Sequence, residues 1–207
     1  MQKDYKNGNL FSYNPYVRFP SDWAISKTYY PLLKKEFPKI VLSADVFWLV
    51  TRSDLFWIWQ NLESFLLHFD YIWPMVYPSH YWKWTLWFEI ADNHPYEIIK
   101  NALSFTNKRI DELNISIKNA KINNQKLKIK NAFFTEKDLE NVDIIPKNKI
   151  RPWIQWFSCT RCKWATPYNG IKFKKQIQAI NDSGLDSRWV WNSASNYYLD
   201  WYDKVSK

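Results

Sequence analysis

The chain has 207 residues, a formal net charge of +9 and a hydrophobic content of 46%. This size and composition predict a single globular domain with a sizeable core. The basic charge comes mostly from Lys-rich stretches, without a recognition helix, a zinc-finger pair or an aromatic RNA-binding motif, so we expect no nucleic-acid partner. No run of about 18 apolar residues occurs, so we expect no membrane span.

Short apolar runs alternate along the chain with amphipathic helical stretches. The opening residues are polar and contain no secretory hydrophobic region, so no signal peptide is predicted in this chain. Five short runs, rich in β-branched and aromatic residues, predict strands at 10–17, 39–47, 70–77, 150–157 and 187–192. Helical periodicity predicts the elements between and after them, at 25–37, 53–69, 94–113 and 171–184 and in the C-terminal tail.

Three residues predict where these helices begin and end. Ser53 is a candidate N-cap, Pro95 suits the first turn of its helix, and Gly184 ends the helix that begins near residue 171. Residues 115–149 are rich in Lys and Asn with little periodicity. We interpret this segment as an insertion that carries a short helix near 135–141.

The alternation of strands and helices predicts parallel strands joined by crossover helices. A complete (β/α)8 barrel needs eight strands and about 250 residues. The expected fold is therefore α/β: a partial TIM barrel, or a smaller open sheet.

Cysteine and histidine are few. Cys159 and Cys162 form one CxxC motif without a second pair, and His68, His80 and His94 are scattered. A structural zinc site normally uses four ligands, and a redox pair usually has a thioredoxin-like context. We therefore expect no metal site, no redox pair and no cofactor.

Seven stretches, in order, resemble a bacterial family of glycoside-hydrolase-like domains with a TIM-barrel fold, distantly related to the alpha-amylase clan. They are YVRFPSD (16–22), LSADVF (42–47), DYIWPMVYPSHY (70–81), HPYEIIKNAL (94–103), RPWIQ (151–155), QIQAINDSGLD (176–186) and WNSASNYY (191–198). The resemblance implies one incomplete barrel domain over 1–207, with approximately strands four to eight. It also implies a carbohydrate polymer as substrate and an exported or cell-envelope location. Open barrel edges would favour self-association.

In such barrels the site lies at the carboxyl ends of the strands. The resemblance places Asp45 and His80 there as candidate catalytic residues, against alternatives in which each only orders a loop. Candidate substrate-binding residues follow the strand ends, each with a purely structural alternative: Arg18, Asp22, Tyr77, Trp153, Gln155, Trp191 and Asn192. Asp70 opens its strand at the opposite end, so we interpret it as structural.

Glycoside hydrolysis usually needs two carboxylates beside the scissile bond. The resembled family has an Asp on the first of these strands, where this chain has Pro15, which carries no carboxylate. An inactive glycan-binding barrel is therefore a second interpretation, and a non-functional product of a truncated gene is a third.

Glycine is rare and tryptophan abundant, with 3 Gly and 14 Trp. The resembled family has glycine near several of these tryptophans, and others lie in or beside turns. They are Trp23, Trp48, Trp57, Trp59, Trp84, Trp87, Trp156 and Trp164. We hypothesise that many are UGA codons read as glycine in the source organism. The alternative is a genuinely Trp-rich carbohydrate binder.

Overall fold

A computed structural model describes residues 30–52, 60–123 and 142–201. The fold is mixed α/β. Its main elements, in chain order, are α1 (Tyr30–Glu36), β1 (Ser43–Phe47), α2 (Leu62–His68), β2 (Tyr71–Met75), α3 (Pro95–Asn123), β3 (Trp153–Gln155), α4 (Gly170–Asp182) and β4 (Trp189–Trp191).

The four described strands form one sheet in the order β1-β2-β3-β4, and every pairing is parallel. Ser43 is in register with Tyr71 at the start of the β1–β2 pair, and Trp153 is in register with Trp189 in the β3–β4 pair. Consecutive strands are therefore neighbours and a helix lies between each pair, which is the repeated βαβ arrangement that the sequence predicted.

Alternate strand residues point to opposite faces of the sheet. One face is covered: Val46, Ile72 and Ile154 have 0% of their surface exposed. The opposite face of β1 and β4 is largely open, with Asp45 and Trp191 both exposed. The sheet thus separates a packed apolar layer from a face rich in tryptophan.

Helices α2, α3 and α4 supply the other half of the packed layer. Their fully buried apolar side chains follow helical spacing and join the strand residues in one core: Leu62, Leu66, Ile98, Ile99, Leu103, Ile110, Phe173, Ile177 and Ile180. Burying one such side chain contributes about 1.5–3 kcal/mol, so this layer is the main source of stability.

Local side chains and one glycine define the helix ends. Asn61 caps α2 by accepting a hydrogen bond from Ser64 N at 2.8 Å, and Asn169 caps α4 through Lys172 N at 3.1 Å. Gly184 has φ +75°, and the next backbone N–H, of Leu185, donates to Ile180 O at 3.2 Å. This is the Schellman arrangement, and it confirms that Gly184 ends the helix.

The last four predicted strands are present but shorter than predicted, since only part of each predicted stretch pairs in the sheet. Of the helix predicted at 25–37, the described part is α1, which ends at Glu36, and residues 25–29 lie outside the described residues. The predicted strand at 10–17, the Ser53 cap and the helix near 135–141 lie outside the described residues.

The predicted end of the helix at residue 113 was wrong. Helix α3 continues to Asn123, so the first nine residues of the predicted insertion are helical. Ile117 is only 3% exposed and extends the buried face of the helix by about one turn beyond Leu113. Asn114 fixes the returning chain, because its side chain accepts from Ile145 N at 2.7 Å and donates to Ile145 O at 3.0 Å. Among the described helices, none combines the length and the apolar character that a membrane crossing requires.

Candidate functional site

The open face of the sheet carries four tryptophans and one carboxylate, which we call the tryptophan face: Asp45, Trp73, Trp153, Trp189 and Trp191. The ring centroids of Trp73 and Trp189 are 5.0 Å apart, and Trp153 lies 5.6 Å from each of them. Trp191 meets Trp153 edge to face at 5.8 Å. Parallel sheets are normally covered on both faces, so an exposed aromatic surface of this kind is unusual.

Asp45 is the acidic residue on this face among the described strands. Its Oδ1 accepts a hydrogen bond from Trp153 Nε1 at 2.7 Å, which fixes the carboxylate over the neighbouring strands. Asp45 is otherwise exposed. The arrangement presents an oriented carboxylate beside aromatic rings, and it joins two of the predicted site residues.

Tyr77 and His80 follow β2 at the carboxyl edge of the sheet. Their rings meet edge to face at 5.1 Å, and Phe157, which follows β3, lies 5.7 Å from the Tyr77 ring. Burial raises the pKa of Tyr77, and the negative charge of Asp45 raises it further. Tyr77 is therefore a neutral hydroxyl donor at physiological pH, close enough to Asp45 to sense its charge.

His80 is exposed at the same edge. Desolvation lowers the pKa of its imidazole, and the negative charge of Asp92 opposes that shift. The neutral form of His80 is therefore favoured at neutral pH, and it offers a nitrogen lone pair to a proton or a metal ion.

Gln155 has no exposed surface and holds the loops of this edge together. Its Oε1 accepts from Ser79 N at 3.0 Å, and its Nε2 donates to Phe157 O at 2.8 Å and to Asp92 Oδ1 at 3.3 Å. We predicted a substrate contact for Gln155, whereas in this structure it satisfies buried backbone and carboxylate groups.

Asn192 is also buried, with 8% of its surface exposed. Its Nδ2 donates to Trp156 O at 2.7 Å and to Asn196 O at 2.6 Å, and its Oδ1 accepts from Ala194 N at 2.9 Å. These bonds fix the loop after β4, which is the structural alternative to the predicted substrate contact.

Asp92 was not among the predicted site residues. It is 1% exposed, and its Oδ2 accepts from Thr166 N at 2.8 Å and from Thr166 Oγ1 at 3.1 Å. Its charge acts on both His80 and Tyr168. Asp92 belongs to a short turn with no strand pattern around it, so the sequence offered little reason to select it.

The remaining predictions divide by position. Trp191 is 43% exposed and Trp153 half-buried, so both offer ring surface on the tryptophan face. Asp70 accepts from Leu42 N at 2.8 Å and Lys34 Nζ at 2.9 Å at the amino end of the sheet, which agrees with the structural role we predicted. Arg18, Asp22 and Pro15 lie outside the described residues.

The CxxC motif lies in the loop after β3. Cys159 and Cys162 are joined by a disulfide, and both sulfur atoms and a ring nitrogen of His80 lie within 4.8 Å of one another. We predicted neither a metal site nor a redox pair here, because the single CxxC has no second pair, the histidines are scattered in sequence and no thioredoxin-like context surrounds the motif. The common position of His80 and the cysteines after adjacent parallel strands was the signal that could have linked them.

Comparison with known proteins gives one family match. No curated protein matches the chain, and no solved structure does either. A family model described as "Putative glycosyl hydrolase domain" matches residues 32–122 and 114–197, which include all four described strands and the loops at their carboxyl ends. The chain therefore belongs to this glycosyl hydrolase domain family.

Proposed function

We propose that this domain hydrolyses O-glycosidic bonds in a carbohydrate polymer that lies across the tryptophan face. The observation that carries the proposal is the Asp45 carboxylate, which is exposed and oriented by the Trp153 indole beside further exposed rings. Aromatic faces offer apolar contact to sugar rings, and a fixed carboxylate provides the charge that an oxocarbenium-like transition state requires.

We further propose that the sheet is part of the wall of a (β/α)8 barrel, with the tryptophan face on its interior. The parallel order β1-β2-β3-β4 and the helices packed on the opposite face support this arrangement. Barrel enzymes place their chemistry at the carboxyl ends of the strands, where Tyr77, His80 and Phe157 meet. The proposed site would then extend from Asp45 toward this edge.

Asp45 acts as nucleophile or general base in this proposal, and His80 exchanges a proton with the leaving group or with water. In the proposed complex, the Tyr77 hydroxyl donates a hydrogen bond to the bound sugar near Asp45. Hydrolysis normally uses a second carboxylate about 5 Å away for retention, or about 6.5–9.5 Å away for inversion. For this second carboxylate we propose Asp22, which the sequence places among the candidate substrate-binding residues. Asp92, in contrast, is buried and already bound to Gln155 and Thr166.

The alternative proposal is a domain that binds a glycan without cleaving it. Two features favour it: the exposed rings of Trp189 and Trp191, at 45% and 43%, and Pro15 in place of the Asp of the resembled family. A panel of plant, bacterial and storage polysaccharides distinguishes the two. Hydrolysis predicts release of new reducing ends, whereas binding alone predicts retention on an insoluble polysaccharide without release.

A matched pair of variants links either outcome to the tryptophan face. Trp191→Ala removes an exposed ring from it, and Trp82→Ala removes a tryptophan that is 62% exposed elsewhere. The proposal predicts that Trp191→Ala weakens retention on polysaccharide at least about tenfold, which equals about 1.4 kcal/mol. Equal effects of the two substitutions would contradict it.

We also propose that some tryptophans stand where the source organism places glycine. Trp84 has φ +64° and Trp87 has φ +68°, a backbone region that glycine occupies without strain. Trp48 and Trp156, by contrast, are buried and packed against other rings, so nothing comparable supports recoding there. The coding DNA tests the proposal: UGA at 84 and 87 supports it, and UGG contradicts it.

A further inference from the structure

The CxxC loop and His80 form a cluster of potential metal ligands outside the tryptophan face. Each of His80, Cys159 and Cys162 offers one ligand atom, and these three atoms lie within 4.8 Å of one another. Both cysteines are partly buried and His80 is exposed, so the cluster is open to solvent on one side. Among the described residues, these three form the group of potential metal ligands whose ligand atoms all lie this close together.

The fold explains why His80 lies beside two cysteines that are about 80 positions away in sequence. His80 ends the short 3-10 turn Pro78–His80 after β2, and the CxxC loop follows β3, the adjacent parallel strand. The bond from Ser79 N to Gln155 Oε1, at 3.0 Å, ties the two loops together next to the cluster. Phe157 also packs 6.2 Å from the His80 ring. These contacts hold His80 in place whether or not the disulfide is formed.

The CxxC loop itself has a compact turn. The Cα atoms of Cys159 and Cys162 are 5.3 Å apart, and Cys162 N donates to Cys159 O at 3.3 Å. In a tetrahedral zinc site the metal lies about 2.3 Å from sulfur and about 2.0–2.1 Å from a histidine nitrogen. Ligand atoms around one ion are then about 3.5–4 Å apart. Opening the disulfide and small side-chain rotations reach that spacing without moving the strands.

We propose that the reduced form of this chain binds one Zn²⁺ ion through Cys159, Cys162 and His80, with a fourth coordination position open to water. A thiol reductant opens the disulfide by exchange: two reductant thiols become one disulfide, and the chain gains two cysteine thiols. Zn²⁺ then replaces the two thiol protons, which are released, while neutral His80 donates a nitrogen lone pair.

The donor set determines the class of metal. Thiolate and imidazole ligands suit Zn²⁺ and are poor partners for Mg²⁺ or Ca²⁺, which prefer oxygen. Three protein ligands with one open position are typical of zinc sites that hold an exchangeable water. The zinc site shares only His80 with the proposed hydrolytic site, and Zn²⁺ binding itself requires no carbohydrate. In the metal-loaded form His80 is a ligand and is unavailable for proton transfer.

Metal titration of the intact chain tests this site without any carbohydrate. The chain is reduced with a phosphine, desalted without oxygen and titrated with Zn²⁺ against a chromophoric chelator, and in parallel with Co²⁺. We expect one equivalent to bind, with a thiolate-to-cobalt charge-transfer band and the visible bands of tetrahedral Co²⁺. The oxidised chain is expected to bind neither ion at this site.

Three variants identify the ligands. Cys159→Ser and His80→Asn are each expected to weaken Zn²⁺ binding at least about tenfold. Substituting a residue that only hydrogen-bonds to a metal ligand already costs about 10- to 100-fold in affinity, and loss of a ligand itself should cost no less. His94→Asn is the matched control, because His94 stacks on Phe88 at 3.8 Å and is not a member of the ligand cluster, and this variant should bind as the wild type does. Circular dichroism of each metal-free variant separates loss of a ligand from loss of folding.

Several results would overturn the proposal. They are a disulfide that resists the reductant, reduced wild-type binding no tighter than that of Cys159→Ser, and His80→Asn binding as tightly as His94→Asn. Because no carbohydrate is present, a failure of the proposed hydrolysis leaves each of these readouts unchanged.

Discussion

The loop after β2 makes a specific prediction about backbone strain. Trp84, Leu86 and Trp87 have φ of +64°, +54° and +68°, so three of four consecutive residues adopt left-handed conformations. An L-residue with a side chain pays about 1–2 kcal/mol in this region, and glycine avoids that cost. Trp87 is 90% exposed, so little packing is lost when its side chain is removed.

The size of the effect follows from two opposing terms. Glycine removes the strain of about 1–2 kcal/mol per position but gives the unfolded chain about 0.5–1 kcal/mol of extra conformational freedom. The expected net gain is therefore about 0.5–1 kcal/mol for each of Trp84→Gly and Trp87→Gly. For a chain of this size, about 1 kcal/mol corresponds to about 2–4 °C in Tm. The double variant should melt about 2–8 °C higher than the wild type.

Alanine and a neighbouring tryptophan provide the controls. Alanine at 84 and 87 also removes the indole but keeps the Cβ atom, so it retains the strain and should bring little or no gain. Trp82 is 62% exposed, like Trp84, but it lacks positive φ and contacts Trp48 at 5.5 Å. Trp82→Gly should therefore lower Tm. Glycine variants at 84 and 87 that melt no higher than the alanine variants would refute the reasoning.

Two further predictions concern ion pairs. Glu63 and Arg109 form a nearly buried ion pair, in which Arg109 Nε donates to Glu63 Oε1 at 2.7 Å. Glu63→Gln removes the negative charge and should destabilise the fold by about 3 kcal/mol in urea unfolding. A loss below about 1 kcal/mol would contradict this prediction. Burial raises the pKa of Asp70, but hydrogen bonds from Leu42 N and Lys34 outweigh it and lower the pKa overall. Asp70 thus stabilises the fold above its unfolded pKa of about 3.9, and this contribution is lost as the pH falls through its lower folded pKa. Asp70→Asn should cost about 1 kcal/mol at pH 7 and progressively less toward pH 3 in unfolding experiments, and a constant difference would contradict the assignment.

Much of the fold follows from local signals in the sequence. Apolar runs bounded by turn residues located the four described strands, and the helices between them established the parallel order. Gly184 ended α4 as predicted, because its left-handed φ suits glycine. The end of α3 was missed because Lys and Asn dominate the composition after residue 113. The spacing of Ile110, Leu113 and Ile117 nevertheless continues the helical period.

The site was less predictable because its contacts join distant segments. The resemblance selected Asp45 and Trp153, and the structure links them by a hydrogen bond. It did not show that Gln155 would be fully buried by the loops that carry Ser79 and Asp92. Whether a polar residue at a strand end faces substrate or binds another loop depends on how the loops close over it. A single sequence does not specify that closure.

We propose that Asp45 takes part in cleaving a glycosidic bond. The most direct measurement compares release of reducing ends by the wild type and Asp45→Asn on the most responsive polysaccharide of the panel. Positioned acid–base groups contribute about 10²- to 10⁴-fold to such rates, so we predict at least about a hundredfold loss in Asp45→Asn. Binding to the polysaccharide and Tm should change little, because the Asn side chain can still accept the Trp153 hydrogen bond. An Asp45→Asn variant that releases reducing ends at the wild-type rate would contradict the account.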